Sequence, residues 1–189
     1  LPEIQQAVQA ATDAGFVSAT ADYDVGGMQL PLAVAAAANA WLSAAGSTTV
    51  GYLSLSSANA SLIEAHGSAE QIAKWAVPLR SGRFAGTMAM TEPGAGSGLA
   101  DLITRAEPAD DGSYRITGNK IFISGGDHEL NDNIVHLVLA RVNGAPKGVK
   151  GISLFIVPKF LVNEDGSLGE RNDVALAGLW HKMGGRGHT

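Results

Sequence analysis

The chain has 189 residues, 46% of them hydrophobic, a globular share with room for one full-sized domain or two small ones. Its 13 basic and 18 acidic residues leave a net charge of −5 without a basic stripe, which argues against nucleic acid, since phosphate contacts need clustered Lys and Arg. Cysteine is absent, which excludes disulfides and thiolate metal sites and fits a reducing compartment such as the cytoplasm.

The N-terminal third reads as helices. Leu1, Ile4, Val8 and Ala11 recur at helical spacing, and Gly15 is a plausible stop. Pro31 suits the first turn of a helix reaching about Ala45, with Gly46 as its end signal. Ser47 or Thr48 can cap a second helix that closes at Gly67. Ser68-Ala69-Glu70-Gln71 matches a capping box, and its short helix turns Ile72 and Trp75 inward before meeting Pro78. The longest apolar stretch, Leu30 to Ala45, is alanine-rich and broken by Asn39 and Ser43, too short and too mild to span a bilayer. The opening LPEIQQAVQ lacks the basic-then-apolar layout of a signal peptide.

From about Ser81-Gly82-Arg83 the pattern changes to short strands. They are predicted at Phe84 to Thr91, Leu102 to Glu107, Tyr114 to Thr117, Lys120 to Ser124, Ile134 to Val142, Ile152 to Val157 and Val174 to Leu179. Turn signals such as Asp110-Asp111-Gly112, Asn143-Gly144 and Glu164-Asp165-Gly166 separate them. The expected architecture is α+β: part of an α-helical bundle over residues 1–84, then a small antiparallel β-barrel or sandwich over 85–189. Because the chain starts inside a helical pattern without Met and stops at Gly187-His188-Thr189, it reads as a fragment of a longer protein.

One stretch organises the rest. Thr87 to Gly98, TMAMTEPGAGSG, runs from a β-like segment through a polar tip into a loop of small residues, which lets main chain approach a ligand closely. Glycine content alone favours a tight turn between strands. The stretch resembles the flavin-contacting signature of the acyl-CoA dehydrogenase family, an apolar run followed by TEPxAGSD. Gly118 to Gly126, GNKIFISGG, is similar to that family's G-x-K-x-(aromatic)-I-(Thr/Ser)-x-G strand. The two occur in the family's order and at a fitting separation. The similarity extends from GGMQLP to the closing HKMGGRG. Val157 to Val174 resembles the branch that contains 3-(methylthio)propanoyl-CoA dehydrogenase and broad-range relatives, although a variable surface loop accounts for it as well.

The resemblance implies FAD as cofactor and α,β-dehydrogenation of an acyl-CoA. Cofactor contacts fall on Met88, Met90, Thr91, Phe122, Ile123 and Ser124. Thr91 and main chain along its run would meet the flavin's pyrimidine edge, with Phe122 packed on the ring and Ser124 near N5. For the side chains of Met88 and Met90 core filling is the preferred reading. If Lys120 to Ser124 is a strand, Phe122 and Ser124 share a face. Gly96 and Ser97 match positions that border the substrate channel, with a turn-stabilising Ser as the alternative, and Gly98 departs from the family's Asp or Ser. Glu92 is read as a loop brace accepting backbone hydrogen bonds, not as the base. The family's base lies in a C-terminal helical domain absent here, so no catalytic residue is assigned. His66, His128, His136, His181 and His188 show no metal-ligand spacing. Lys182 and Arg186 read as a solvated basic turn or as contacts to CoA phosphates. Implied partners are acyl-CoA, an electron-transferring flavoprotein and a second copy in a homodimer or homotetramer. An acyl-CoA oxidase or nitroalkane-oxidase-like enzyme, a flavin monooxygenase and a non-catalytic flavin-binding relative are the alternatives.

Overall fold

The fold is described over residues 2–180 and 182 of a computed structural model. Helix α1, Pro2–Asp13, buries Val8 and Ala11 of the predicted stripe against Val17, Tyr52 and Leu53. Helix α2, Leu32–His66, is interrupted where expected: Gly46 leaves helical backbone with φ −172° and ψ 89°. Before the break only Ala35 is buried. After it, Tyr52, Leu53, Ser56, Asn59, Ala60 and Ile63 form the buried stripe of an amphipathic helix.

Ser68 and Gln71 close the predicted capping box, the Gln71 N–H donating to Ser68 Oγ at 3.2 Å and the Ser68 N–H to Gln71 Oε1 at 2.9 Å. The short helix α3, Ala69–Gln71, does not stop at Pro78. It passes through a π turn, Ile72–Ala76, into α4, Val77–Arg80, with Pro78 in the first turn of α4 directly after the wider turn. Arg80 then rivets the helices together. Its buried guanidinium reaches both Glu64 oxygens at 2.9 and 2.6 Å, the Val17 carbonyl at 3.1 Å and Ser61 Oγ at 2.9 Å.

Strands follow from Phe84: β1 Phe84–Ala89, β2 Arg105–Pro108, β3 Tyr114–Thr117, β4 Asn133–Val142 and β5 Ile152–Pro158 form one sheet, and β6 Phe160–Val162 with β7 Leu168–Arg171 form a hairpin. The α+β expectation holds, but the large sheet is mixed rather than antiparallel. β1 and β2 both run parallel to β4, while β3 and β5 are antiparallel to their neighbours. β5 covers one edge of β4, and β1 and β2 follow each other along the other edge. Ala89 pairs with Val138 and Arg105 with Arg141, so residues 90–104 leave the sheet in the gap between them. Parallel pairing is possible because each of these crossovers is long, which strand spacing alone did not reveal.

Two predicted strands are not formed. Residues 120–124 are irregular because Phe122 adopts φ +57°, which breaks the extended backbone and with it the simple alternation of faces. Residues 174–179 have no strand partner, and 175–180 are exposed. Conversely, the β6–β7 hairpin lies inside the segment that a variable loop would also have explained. Asp165 shapes its turn by accepting from Ser167 N–H at 2.9 Å and Ser167 Oγ–H at 2.6 Å.

Helix α2 docks directly on the sheet. Phe84, Val135 and Leu137 pack with Ala60, Ile63, Ala76 and Leu79 in one core cluster. Polar contacts fix the register: Asn59 Nδ2 donates to the Thr87 and Val135 carbonyls at 3.1 and 3.0 Å, and Ser56 Oγ accepts from Gly86 N–H at 3.0 Å. Glycine is required at 86, where a Cβ would stand 2.7 Å from Asn59 Nδ2. No helix among the described residues is long and apolar enough to cross a membrane.

Candidate cofactor site at the β1 margin

The two motif segments lie side by side. Thr87 Oγ1 donates to the Ser124 carbonyl at 2.5 Å, and the Ile121 N–H donates to the Thr91 carbonyl at 2.9 Å. These two stitches run 120–124 antiparallel along the end of β1, so Thr91 and Ser124 come from adjacent segments. Both are half-buried, not sealed in the core. Neither the N–H nor the hydroxyl of Thr91 donates a hydrogen bond among the described residues.

Behind Thr91 sits a buried polar hub. Glu92, 3% exposed, accepts from the N–H groups of Ile103 and Thr104 at 2.8 and 3.1 Å, from Thr104 Oγ1, and from Lys120 Nζ at 2.8 Å. Lys120 Nζ also donates to the Met90 carbonyl at 3.1 Å. Burial pushes the Glu92 carboxyl up, but hydrogen bonds from Lys120, Thr104 and Ile103 outweigh it and hold the group below its ordinary value. Burial likewise lowers the Lys120 ammonium against the opposing pull of Glu92. Glu92 is thus a brace, as its sequence context suggested. Glycine at 118 lets the segments meet, since a Cβ there would stand 2.2 Å from Thr104 Oγ1.

The loop itself closes as a turn, with Glu92 N–H donating to the Ala95 carbonyl at 2.9 Å and Ala95 N–H to the Glu92 carbonyl at 3.1 Å. Gly96 and Ser97 are exposed on it, open space surrounds Gly94 and Gly96, and no hydrogen bond among the described residues joins Gly96 or Ser97 to the 120–124 segment. Met88 packs against the core as expected, but Met90 does not fill it: it lies past the end of β1 and is 40% exposed. Phe122 is 52% exposed, its ring centroid 5.3 Å from that of Trp180. Phe122 and Ile123 belong, with Lys120, Trp180 and Lys182, to the wall of an open cleft of about 1550 Å³, whereas Thr91, Ser124, Gly96 and Ser97 lie outside that wall.

Three further residues matter that sequence reasoning passed over or misplaced. Thr87 carries the stitch to Ser124, although it stood in the motif as one more strand residue. Trp180 joins Phe122 from the position just after a stretch read as a strand. Lys182 is not part of a solvated turn: its half-buried Nζ donates to Ser124 Oγ at 3.2 Å, and burial lowers its pKa. Arg186, His181 and His188 lie outside the described residues. His136 is buried on β4, and burial lowers it to about 4 despite the nearby Asp127 charge. Among the described residues no group of three or more His, Asp or Glu side chains is arranged to hold a metal ion.

The residues present fit a flat, polar-edged ring. Among the described residues two unused donors sit on Thr91, with a hydroxyl on Ser124 and an exposed aromatic ring on Phe122, on or beside a margin tied together by the Glu92–Lys120 hub. The fold is that of an α+β protein in which a helical layer backs a curled mixed sheet, with the candidate site at its margin. The chain belongs to the acyl-CoA dehydrogenase family: the family's N-terminal domain model matches residues 2–83 and its middle domain model residues 87–188. It is 44% identical over 174 residues to 3-methylmercaptopropionyl-CoA dehydrogenase of Ruegeria pomeroyi, covering 92% of this chain and 30% of that protein. It is 41% identical over 187 residues to the broad-specificity linear acyl-CoA dehydrogenase FadE5 of Mycobacterium tuberculosis, covering 97% of this chain and 30% of that one. Among solved structures, an acyl-CoA dehydrogenase from Geobacillus kaustophilus superposes with a TM-score of 0.68 at 31% identity, over 81% of this chain and 39% of that chain. The chain therefore spans less than a third of the length of these two curated relatives.

Proposed function

We propose that this chain supplies the N-terminal helical part (residues 1–84) and the middle β-domain (85–189) of an FAD-dependent acyl-CoA dehydrogenase. The reaction converts an acyl-CoA to the trans-2-enoyl-CoA: a carboxylate takes the α-proton and the β-hydrogen leaves with its electron pair. FAD supplies the acceptor for that hydride. The observation that carries the reading is the pair of uncommitted Thr91 donors on a margin stitched to the Ser124 segment.

In this reading Thr91 donates to the acceptor edge of the ring and Ser124 donates near the atom that gains electron density, a fixed-dipole contribution to the transition state. Phe122 packs on the ring face, Ile123 and the main chain of Met88 and Met90 line its edge, and Gly96 and Ser97 border the thioester channel. Glu92 takes no proton, since its oxygens are committed to four hydrogen bonds. Holding thioester and ring face to face supplies orientation. Electrons then pass to an electron-transferring flavoprotein, and the enzyme works in the cytoplasm as a homodimer or homotetramer.

The test is anaerobic titration of the protein, expressed from its complete reading frame, with a panel of acyl-CoA thioesters. Bleaching of the oxidised flavin band with enoyl-CoA formation supports the reading. A flavoprotein that no acyl-CoA bleaches would be the non-catalytic relative, and one that air reoxidises rapidly would be an oxidase.

A further inference from the structure

We infer that Lys120 is a positioning residue that aims the Thr91 amide at the acceptor edge of the bound ring. The inference rests on the flavin reading. Lys120 Nζ holds the Met90 carbonyl at 3.1 Å, and Glu92 fixes Lys120 in turn at 2.8 Å. The Lys120 side chain is 11% exposed and that of Glu92 1%, so neither is free to wander. The Met90 C=O and the Thr91 N–H share one planar trans peptide and point in opposite directions. Anchoring the carbonyl on Lys120 therefore turns the N–H away from Lys120.

The next carbonyl, that of Thr91, is taken by the Ile121 N–H at 2.9 Å. Both carbonyls flanking the Thr91 Cα are thus committed, while its N–H and hydroxyl donate to nothing among the described residues. A half-buried residue with two unused donors and two committed acceptors selects a ligand edge that accepts. That is the chemistry of a carbonyl-bearing heterocycle, and the hydroxyl oxygen can in addition accept from a ring N–H beside that carbonyl. Glu92 is the anchor rather than the aiming group. It ties the loop to Ile103 and Thr104, while among the described residues it is Lys120 that donates to the peptide presenting the donor.

The experiment compares wild type, Lys120→Met, Glu92→Gln and Lys120→Arg, all expressed from the complete reading frame. FAD affinity is read by fluorescence quenching, the carbonyl stretches of bound flavin by infrared difference spectroscopy, and folding by circular dichroism. Lys120→Met should weaken FAD binding about tenfold, the loss of one aligned hydrogen bond, and move a flavin carbonyl stretch to higher frequency. Lys120→Arg keeps a cationic donor on the Met90 carbonyl, whereas Glu92→Gln keeps the lysine but loosens its anchor. Lys120→Arg should stay within about threefold of wild type with the stretch in place, and Glu92→Gln should fall between wild type and Lys120→Met. A merely structural ion pair would weaken the Met and Gln variants equally and leave the stretch unmoved, which overturns the assignment. If Lys120→Met does not fold, Lys120→Gln replaces it, since its shorter amide reaches Glu92 less well and the carbonyl not at all. A wild-type protein that takes up no FAD overturns the flavin reading and the role of Lys120 with it. Normal FAD uptake with an indifferent Lys120→Met overturns the role of Lys120 alone.

Discussion

Glu92 shows how a single side chain can look catalytic and be structural. It is an acid at the tip of the organising motif, yet four donors surround it and its proton affinity is depressed. Glu92→Ala would strand the Lys120 charge and two backbone donors in the interior. The expected loss is about 3–5 kcal/mol, read as a shifted denaturant midpoint. His136 predicts a pH dependence. Its folded pKa of about 4 lies below the ordinary 6.5, so the unfolded chain binds the proton first. Stability is full above 6.5 and falls as pH drops towards 4, by about 3 kcal/mol in all. His136→Gln should flatten that limb in urea melts recorded from pH 7.5 to 4. A further loss at lower pH, in which Glu92 takes part, should survive the substitution.

At the scale of elements, the docking of α2 on β1 depends on the absence of a side chain at 86. Gly86→Ala would drive a methyl to 2.7 Å from Asn59 Nδ2 and push the helix from the strand. The expected cost is about 2 kcal/mol or more, and part of it should vanish in an Asn59→Ala background, because the two residues meet directly. Additive losses in that double-mutant cycle would refute the close contact. Elements with local signals were legible in the sequence. The Gly46 break, the Ser68–Gln71 box and strands such as Tyr114 to Thr117 were read from periodicity, caps and turn residues. What escaped was set by partners distant in the chain. The positive φ of Phe122 leaves no mark in a run that otherwise alternates like a strand. The parallel course of β1 and β2 follows from a shared neighbour, β4, about fifty residues beyond β1. Within the site, the resemblance to two family motifs pointed to Thr91 and Ser124, where residue types alone did not. The link from Lys182 to Ser124 was invisible, because 58 residues separate them and no local pattern joins them.

For the whole molecule, the 189 residues on their own are expected to turn over no acyl-CoA. The acid of the motif is committed to the hub, and no carboxylate is assigned as base within the chain. Purified material of this length that forms enoyl-CoA would refute that. The same margin should still be rigid without ligand: amide exchange at Ile121 ought to be slow, since its N–H is held by Thr91, while Thr91 exchanges faster. Equal protection at both positions would contradict the arrangement of donors described above.

The segment between β1 and β2 leaves and rejoins a single neighbour, at Val138 and Arg141 of β4. Its two ends are therefore fixed about 10 Å apart by one continuous backbone, at roughly 3.3 Å per residue. Such an excursion is a cassette. Its tip at residues 93–99 can lengthen, shorten or be exchanged with a homologue's at little entropic expense, and the strand ladder on either side keeps its alignment. A tip of different length grafted at these positions would accordingly leave the pairing of β1 and β2 with β4 undisturbed.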